Sequence, residues 1–154
     1  MVAKLTLPEL TAFLNEAFPQ TKDTFTITAV TERSATVELA ITAHDLRPGG
    51  TVSGPTMFTL ADTAFYMAVL GALGLKALAV TTNCSINFMR KPKPTTLIAQ
   101  ARILKLGKTL AMGDVMITCE GMEGAVAHAA MTYAIPPSQG QTLVPKAQHV
   151  TFCA

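Results

Sequence analysis

Asp62 is the residue with the most chemistry to offer, because it is the only charged side chain between Arg47 and Lys76. It lies inside a run of apolar and small residues, Met57 to Leu75. An acid among Phe and Val is expensive to ionise unless something nearby compensates. Two readings stand side by side. Apolar surroundings strengthen a carboxylate as a base, which makes Asp62 a candidate working group. Alternatively it is a structural acid, bonded to backbone amides or to a hydroxyl such as Thr59 or a facing Ser or Thr.

Upstream of it, Gly49, Gly50 and Gly54 permit close approach of a ligand to the backbone. If a helix starts there, its first N–H groups are unpaired and its dipole favours negative charge. Pro55 donates nothing, so the N–H groups of Gly54 and Thr56 are the candidates. An oxyanion held at Gly54, with a carboxylate further along the helix, fits acyl transfer to water.

Other chemistry-bearing residues have simpler explanations. Thr81, Asn83, Ser85 and Asn87 alternate with Val80, Thr82, Cys84, Ile86 and Phe88, which reads as a solvated or interface face of one strand. Arg90, Lys91 and Lys93 beside prolines, and Lys105 and Lys108 near a turn, read as a basic rim. His128 reads as a core or interface histidine, and His44 and His149 fall in loop and tail. A Cys84–His128 nucleophile pair is conceivable, but nothing in the sequence brings the two together. Cys84, Cys119 and Cys153 lack metal-ligand spacing, so no metal is expected. With no secretory segment at the start, a reduced cytoplasmic setting is expected. The eight methionines read as adaptable core filling.

The elements that must position Asp62 follow from periodicity. Leu10, Phe13, Leu14 and Phe18 recur at helical spacing, predicting a short helix over 7–18 that Pro19 ends. Strands are predicted from Thr24 to Val30 and from Ala35 to Ala43, with Arg33 and Ser34 turning between them. A Gly- and Pro-rich loop then leads to a helix from Pro55 to about Gly74, with Gly54 as the expected N-cap. Ala61, Ala64, Ala68, Gly71 and Ala72 form one stripe of small side chains on it. Asp62 falls off that stripe, beside Phe58, Phe65, Tyr66 and Val69. Four strands follow, from Ala77 to Met89, Thr95 to Leu106, Thr109 to Cys119 and Ala125 to Ile135. A long helix with no other long partner must bury its face against the sheet, so the fold class is α+β.

The chain as a whole sets bounds. Its 154 residues suit one domain, 1–137, followed by a tail, 138–154. With 49% apolar and only 14% charged residues, disorder is excluded as the main state, and the low surface charge predicts a homo-oligomer. The net charge of +2 is scattered and Trp is absent, which argues against nucleic acid. The central helix is long and apolar enough to raise a membrane-spanning alternative. Asp62 near its middle and amphipathic strands on both sides argue against a span.

The segment from Gly50 to Ala64 resembles the hotdog-fold thioesterases of the phenylacetic-acid-degradation (PaaI-like) group. Members show a His-Gly-Gly entry to the helix and an acid eight residues after the first Gly, a spacing that Gly54 and Asp62 keep. Val80 to Pro92, Lys105 to Lys108 and Ala127 to Tyr133 are similar to the group's later strands, so the resemblance runs from about Leu46 to Pro136. It implies a helix wrapped by a curved antiparallel sheet. Two protomers would join edge to edge, as a dimer or a dimer of dimers, with active sites between them. The implied substrate is a small-to-medium aliphatic or aromatic acyl-CoA, with coenzyme A present only as part of the substrate.

By the same resemblance, Asp62 activates water or acts as nucleophile, the Gly54 N–H polarises the thioester carbonyl, and Thr81 helps place the water. Arg47 and Ser53 would face the substrate, and Arg90, Lys91 and Lys108 would meet the phosphates of coenzyme A; by residue type, Phe58 and Tyr66, with Met57 and Phe65, suggest a medium or aromatic pocket for the acyl group. There are departures. Ser53 stands where the group usually has His, Arg47 where many members have Asn, and Pro55 where a further Gly is usual. These departures favour a rival reading, a non-catalytic acyl- or CoA-binding module, while the retained Asp62 speaks against it. A dehydratase would need a catalytic His near the helix, and the sequence puts none there.

Overall fold

In the computed structural model, which describes residues 2–75 and 78–137, helix α1 (Leu7–Ala17) is opened by a capping box. Glu9 Oε2 accepts the Thr6 N–H at 2.7 Å, and Thr6 Oγ1 accepts the Glu9 N–H at 3.4 Å. Leu10 and Leu14, one turn apart, form its buried face. Pro19 has no N–H to continue the helix, and the chain passes into a single 3-10 turn, Pro19–Thr21.

Strands β1 (Phe25–Val30) and β2 (Ser34–Leu39) form a hairpin, and a second 3-10 turn, Ala43–Asp45, precedes the glycine-rich loop. Helix α2 runs from Gly54 to Leu73, followed by β3 (Val80–Phe88), β4 (Leu97–Leu106), β5 (Leu110–Cys119) and β6 (Ala125–Ala134). The six strands make one antiparallel sheet in the order β1-β2-β4-β5-β6-β3. This is the α+β hotdog arrangement, with the sheet curved around α2.

Alternation along the strands decides which face meets the helix. Leu97, Ala99, Ala101 and Ile103 of β4 and Ala111, Val115 and Ile117 of β5 are buried against it. The small-residue stripe of α2 is buried as expected, and so are Met57, Leu60, Phe65, Met67, Val69 and Leu70. By length and composition α2 could cross a membrane; here that apolar surface is the centre of the core. At Gly113 there is no room for a side chain. A Cβ there would lie 2.0 Å from the Arg102 carbonyl oxygen and 2.6 Å from the Phe65 ring.

Three local expectations need correction. Ser53, not Gly54, caps α2: its Oγ accepts the Thr56 N–H at 3.3 Å, and Gly54 is the first helical residue. A hydroxyl outbids a glycine as a cap because it offers an acceptor to the free N–H groups. β2 begins at Ser34, inside the expected turn, and β4 only at Leu97, three residues past Pro94. The expected start of β3 at Ala77 and the expected tail, 138–154, with His149 and Cys153, lie outside the described residues.

The two sheet edges differ. β1 is short, is bulged between Ile27 and Ala29, and packs against α1. β3 has nine residues, seven of them exposed, with no charge and no proline among them. Among the described residues no strand pairs with this edge, which a bulge at Thr82 interrupts only near one end.

Candidate active site

Asp62 sits near the middle of α2, on the side that meets β3, and is only partly buried. Its Oδ1 accepts two short hydrogen bonds, from the Thr81 hydroxyl at 2.6 Å and from the Tyr133 hydroxyl at 2.6 Å. Among the described residues no donor reaches Oδ2. The carboxylate is therefore held by one oxygen and presents the other. The facing hydroxyl anticipated for a structural acid is present, and it is Thr81; Thr59 instead bonds the Pro55 carbonyl.

The sheet register explains how Thr81 reaches the helix. Thr81 pairs with Tyr133, but the next paired residue is Asn83, opposite Thr132, so Thr82 is an extra residue in the strand. This bulge switches the alternation. Thr81 therefore shares the helix-facing side with Cys84, whose partner is the buried Met131, and not the side of Asn83, Ser85 and Asn87. Grouping Thr81 with those three residues on strict period-two spacing is corrected here.

Tyr133 was not singled out by its residue type, yet it is the most deeply placed member of the cluster, at 3% exposure. Its hydroxyl donates to Asp62 Oδ1 and lies 3.0 Å from the Asp62 main-chain oxygen. Its ring stacks on Tyr66 at 5.9 Å and meets Phe65 at 5.3 Å. Burial, and then the bond to Asp62, push the phenol far above its ordinary value, so it stays a donor. Burial also raises Tyr66, whose ring meets Phe13 of α1 edge-on at 6.1 Å. Phe58, 38% exposed, lies one turn before Asp62 on the same face of α2.

The other end of β3 lies beside Gly54, the second group expected to act. Gly54 is the first residue of α2, so no carbonyl one turn earlier accepts its N–H. The Phe88 ring stands over it; a Cβ on Gly54 would lie 3.3 Å from Phe88 Cζ. A groove of about 470 Å³ opens there, lined by Arg47, Gly54, Met57, Phe88, Arg90 and Lys91 among others. Ser53, expected to face substrate, is engaged as the cap. Its hydroxyl donates to Thr56 Oγ1 at 3.0 Å, and Thr56 in turn donates to Asp45 Oδ1 at 3.1 Å.

Gly54 and Asp62 are eight residues apart on α2, which is about 12 Å along the helix axis. Their neighbours Phe88 and Thr81 sit at opposite ends of β3, about 23 Å apart. Both groups would have to come within about 3 Å of one carbonyl or of the water attacking it. The pair within one chain is too widely spaced for that. Lys108 shows the same division: it lies in the β4–β5 turn, at the Thr81 end, away from Arg90 and Lys91.

Cys84 and His128 do not meet. Cys84 faces the helix, and burial followed by the charge of Asp62 raises its thiol, which makes it a poor nucleophile. His128 is on the outer face, where Nε2 lies 3.0 Å from Asp114. Among the described residues no group of His, Cys, Asp or Glu is placed to hold a metal ion.

The chain matches the model of the thioesterase superfamily over residues 49–126. It is similar to the solved structure of a candidate thioesterase from a Silicibacter species, at 51% identity over 89% of this chain and 96% of that one, with a TM-score of 0.83. It is also similar to the PaaI protein of the Escherichia coli phenylacetic acid degradation operon, at 25% identity over 86% and 98% of the two chains, with a TM-score of 0.72. A hypothetical thioesterase protein of Streptococcus pneumoniae, solved with coenzyme A, shares the fold at 20% identity over 82% and 96%, with a TM-score of 0.72. No curated protein matches the sequence.

Proposed function

Because the chain belongs to the thioesterase superfamily, we propose that it hydrolyses a small-to-medium aliphatic or aromatic acyl-CoA, with Asp62 as the base that activates water. The observation that carries this reading is the Asp62 carboxylate, held at Oδ1 by Thr81 and Tyr133 with Oδ2 left to face a reactant. In the step proposed, Oδ2 takes a proton from water as the water oxygen attacks the thioester carbonyl carbon. The oxyanion formed needs a donor, and the Gly54 N–H is the one suited to it. Collapse of the tetrahedral species breaks the C–S bond, and the proton on Asp62 passes to the leaving thiolate. The products are the free acid and coenzyme A.

The spacing of Gly54 and Asp62 supports a site made by two chains. Suppose that β3 pairs antiparallel with β3 of a second copy about its own middle, near Cys84. The Thr81 end of one strand then lies beside the Phe88 end of the other. That brings Asp62 against Gly54 of the partner subunit, and brings Lys108 to the same end as Arg90 and Lys91 of the partner subunit, where phosphates of coenzyme A would be met. The free β3 edge, without charge or proline along its nine residues, is the physical reason to expect such pairing.

The test is a panel of aliphatic and aromatic acyl-CoAs assayed for thiol release with wild type and Asp62→Asn. Turnover by wild type and loss of it in a folded Asp62→Asn variant support the reading. Asp62→Asn hydrolysing as fast as wild type would remove Asp62 from the mechanism. A rival reading rests on Ser53 and Arg47 standing where relatives of the PaaI-like group have His and Asn. It is a non-catalytic module that binds acyl-CoA, and wild type binding the esters while turning none over would favour it.

A further inference from the structure

We infer that Tyr133 is a positioning residue for hydrolysis, fixing which oxygen of Asp62 meets the attacking water; this rests on the reading of Asp62 as the base. Three observations converge on it. Tyr133 is 3% exposed, its ring against Phe65 and Tyr66, where a phenylalanine would fill the same space without a polar group to satisfy. The hydroxyl points at the one acid of the helix rather than at a free backbone acceptor, with 2.6 Å to Oδ1. The nearby Asp62 main-chain oxygen, at 3.0 Å, belongs to a helix whose own ladder already satisfies it.

Thr81 alone is a weak clamp. It is exposed on the edge strand, and its hydroxyl rotates freely about one bond. With Thr81 as the only donor, the carboxylate can turn about its Cβ–Cγ bond and exchange Oδ1 for Oδ2. Two donors on one oxygen, one of them anchored in the core through a stacked ring, leave a single orientation. Tyr133 keeps its proton throughout, since burial and the adjacent carboxylate both oppose its loss. Its hydroxyl bonds Asp62, and the role inferred for it acts through that carboxylate.

The experiment compares wild type, Tyr133→Phe, Asp62→Asn and the double variant on an acyl-CoA that wild type hydrolyses. Tyr133→Phe keeps the ring contacts and is expected to fold. We expect kcat to fall roughly ten- to a hundredfold, the loss of one charge-assisted hydrogen bond and of alignment, with KM within about twofold of wild type. In the Asp62→Asn background, Tyr133→Phe should add no further loss, because the group it positions is gone. A purely structural tyrosine would instead lower melting temperature and active fraction in both backgrounds while leaving kcat per folded molecule unchanged. Wild-type kcat in Tyr133→Phe, alongside an inactive Asp62→Asn, overturns the role of Tyr133 and leaves that of Asp62 intact. Absence of hydrolysis of any ester by wild type overturns both.

Discussion

Replacing Gly54 by proline removes one hydrogen atom of proposed catalytic importance while leaving the helix that carries it. Its position at the start of the helix lets the donor be removed against a matched control. Gly54 is the first helical residue, so its N–H serves no intrahelical bond, and proline is well tolerated there. Ser53 has φ −71° and ψ 152°, the extended conformation that a residue before proline must adopt. The new Cβ would lie 3.3 Å from Phe88 Cζ and, in helical backbone just before Pro55, would also crowd the Pro55 ring. Phe88 is 51% exposed within one chain, and both variants make the same demand on its ring. Gly54→Ala carries the same Cβ and keeps the N–H, and so isolates the loss of the donor. Removing one oxyanion donor costs roughly 10²–10³ in kcat, or about 3–4 kcal/mol. Thiol release from an acyl-CoA should therefore fall by about that factor in Gly54→Pro relative to Gly54→Ala. Circular dichroism and thermal melting should show both variants folded. Equal rates in the two variants would refute the assignment of the Gly54 N–H as the oxyanion donor.

Two further predictions concern the sheet. Gly113→Ala should abolish folding or lower stability severely, because its Cβ would meet the Arg102 carbonyl oxygen at 2.0 Å, and backbone cannot step aside; soluble yield and thermal melting report this. On the outer face, the Arg102 hydrogen bond, aided by that from His128, holds the Asp114 carboxyl below its ordinary range. A depressed folded-state value stabilises above the unfolded value, near pH 4, and that contribution is lost as pH falls through the folded value. Melting temperatures measured across acidic pH should thus fall more steeply below about pH 4 in wild type than in Asp114→Asn; parallel profiles would contradict the linkage.

Much of this arrangement is legible in the residues. The small-residue stripe of α2 and the alternation of β4 and β5 announce a helix wrapped by a sheet, because burial imposes periods of 3.6 and 2 on the two elements. A lone acid off that stripe is likewise visible. What the spacing cannot reveal is the bulge at Thr82, since one extra residue changes faces without changing residue types. Tyr133 falls at an inward position of β6, where an aromatic ring reads as ordinary core; only the approach of a buried hydroxyl to Asp62 gives it a role. Gly54 loses the cap to Ser53 because the stronger acceptor wins. Arg90 and Lys91 look like neighbours of Lys108 in charge and loop context. Antiparallel strands instead carry them to opposite ends of one chain's sheet.

The division of the site between two chains is the central claim, and subunit complementation tests it most directly. Gly54→Pro and Asp62→Asn protomers, each inactive alone, are unfolded together, refolded and assayed. A mixed dimer would hold one site with both defects and one with neither. Random mixing makes half the dimers mixed, so activity should return to roughly a quarter of wild type. A mixture that stays at the mean of the two inactive variants would contradict a shared site.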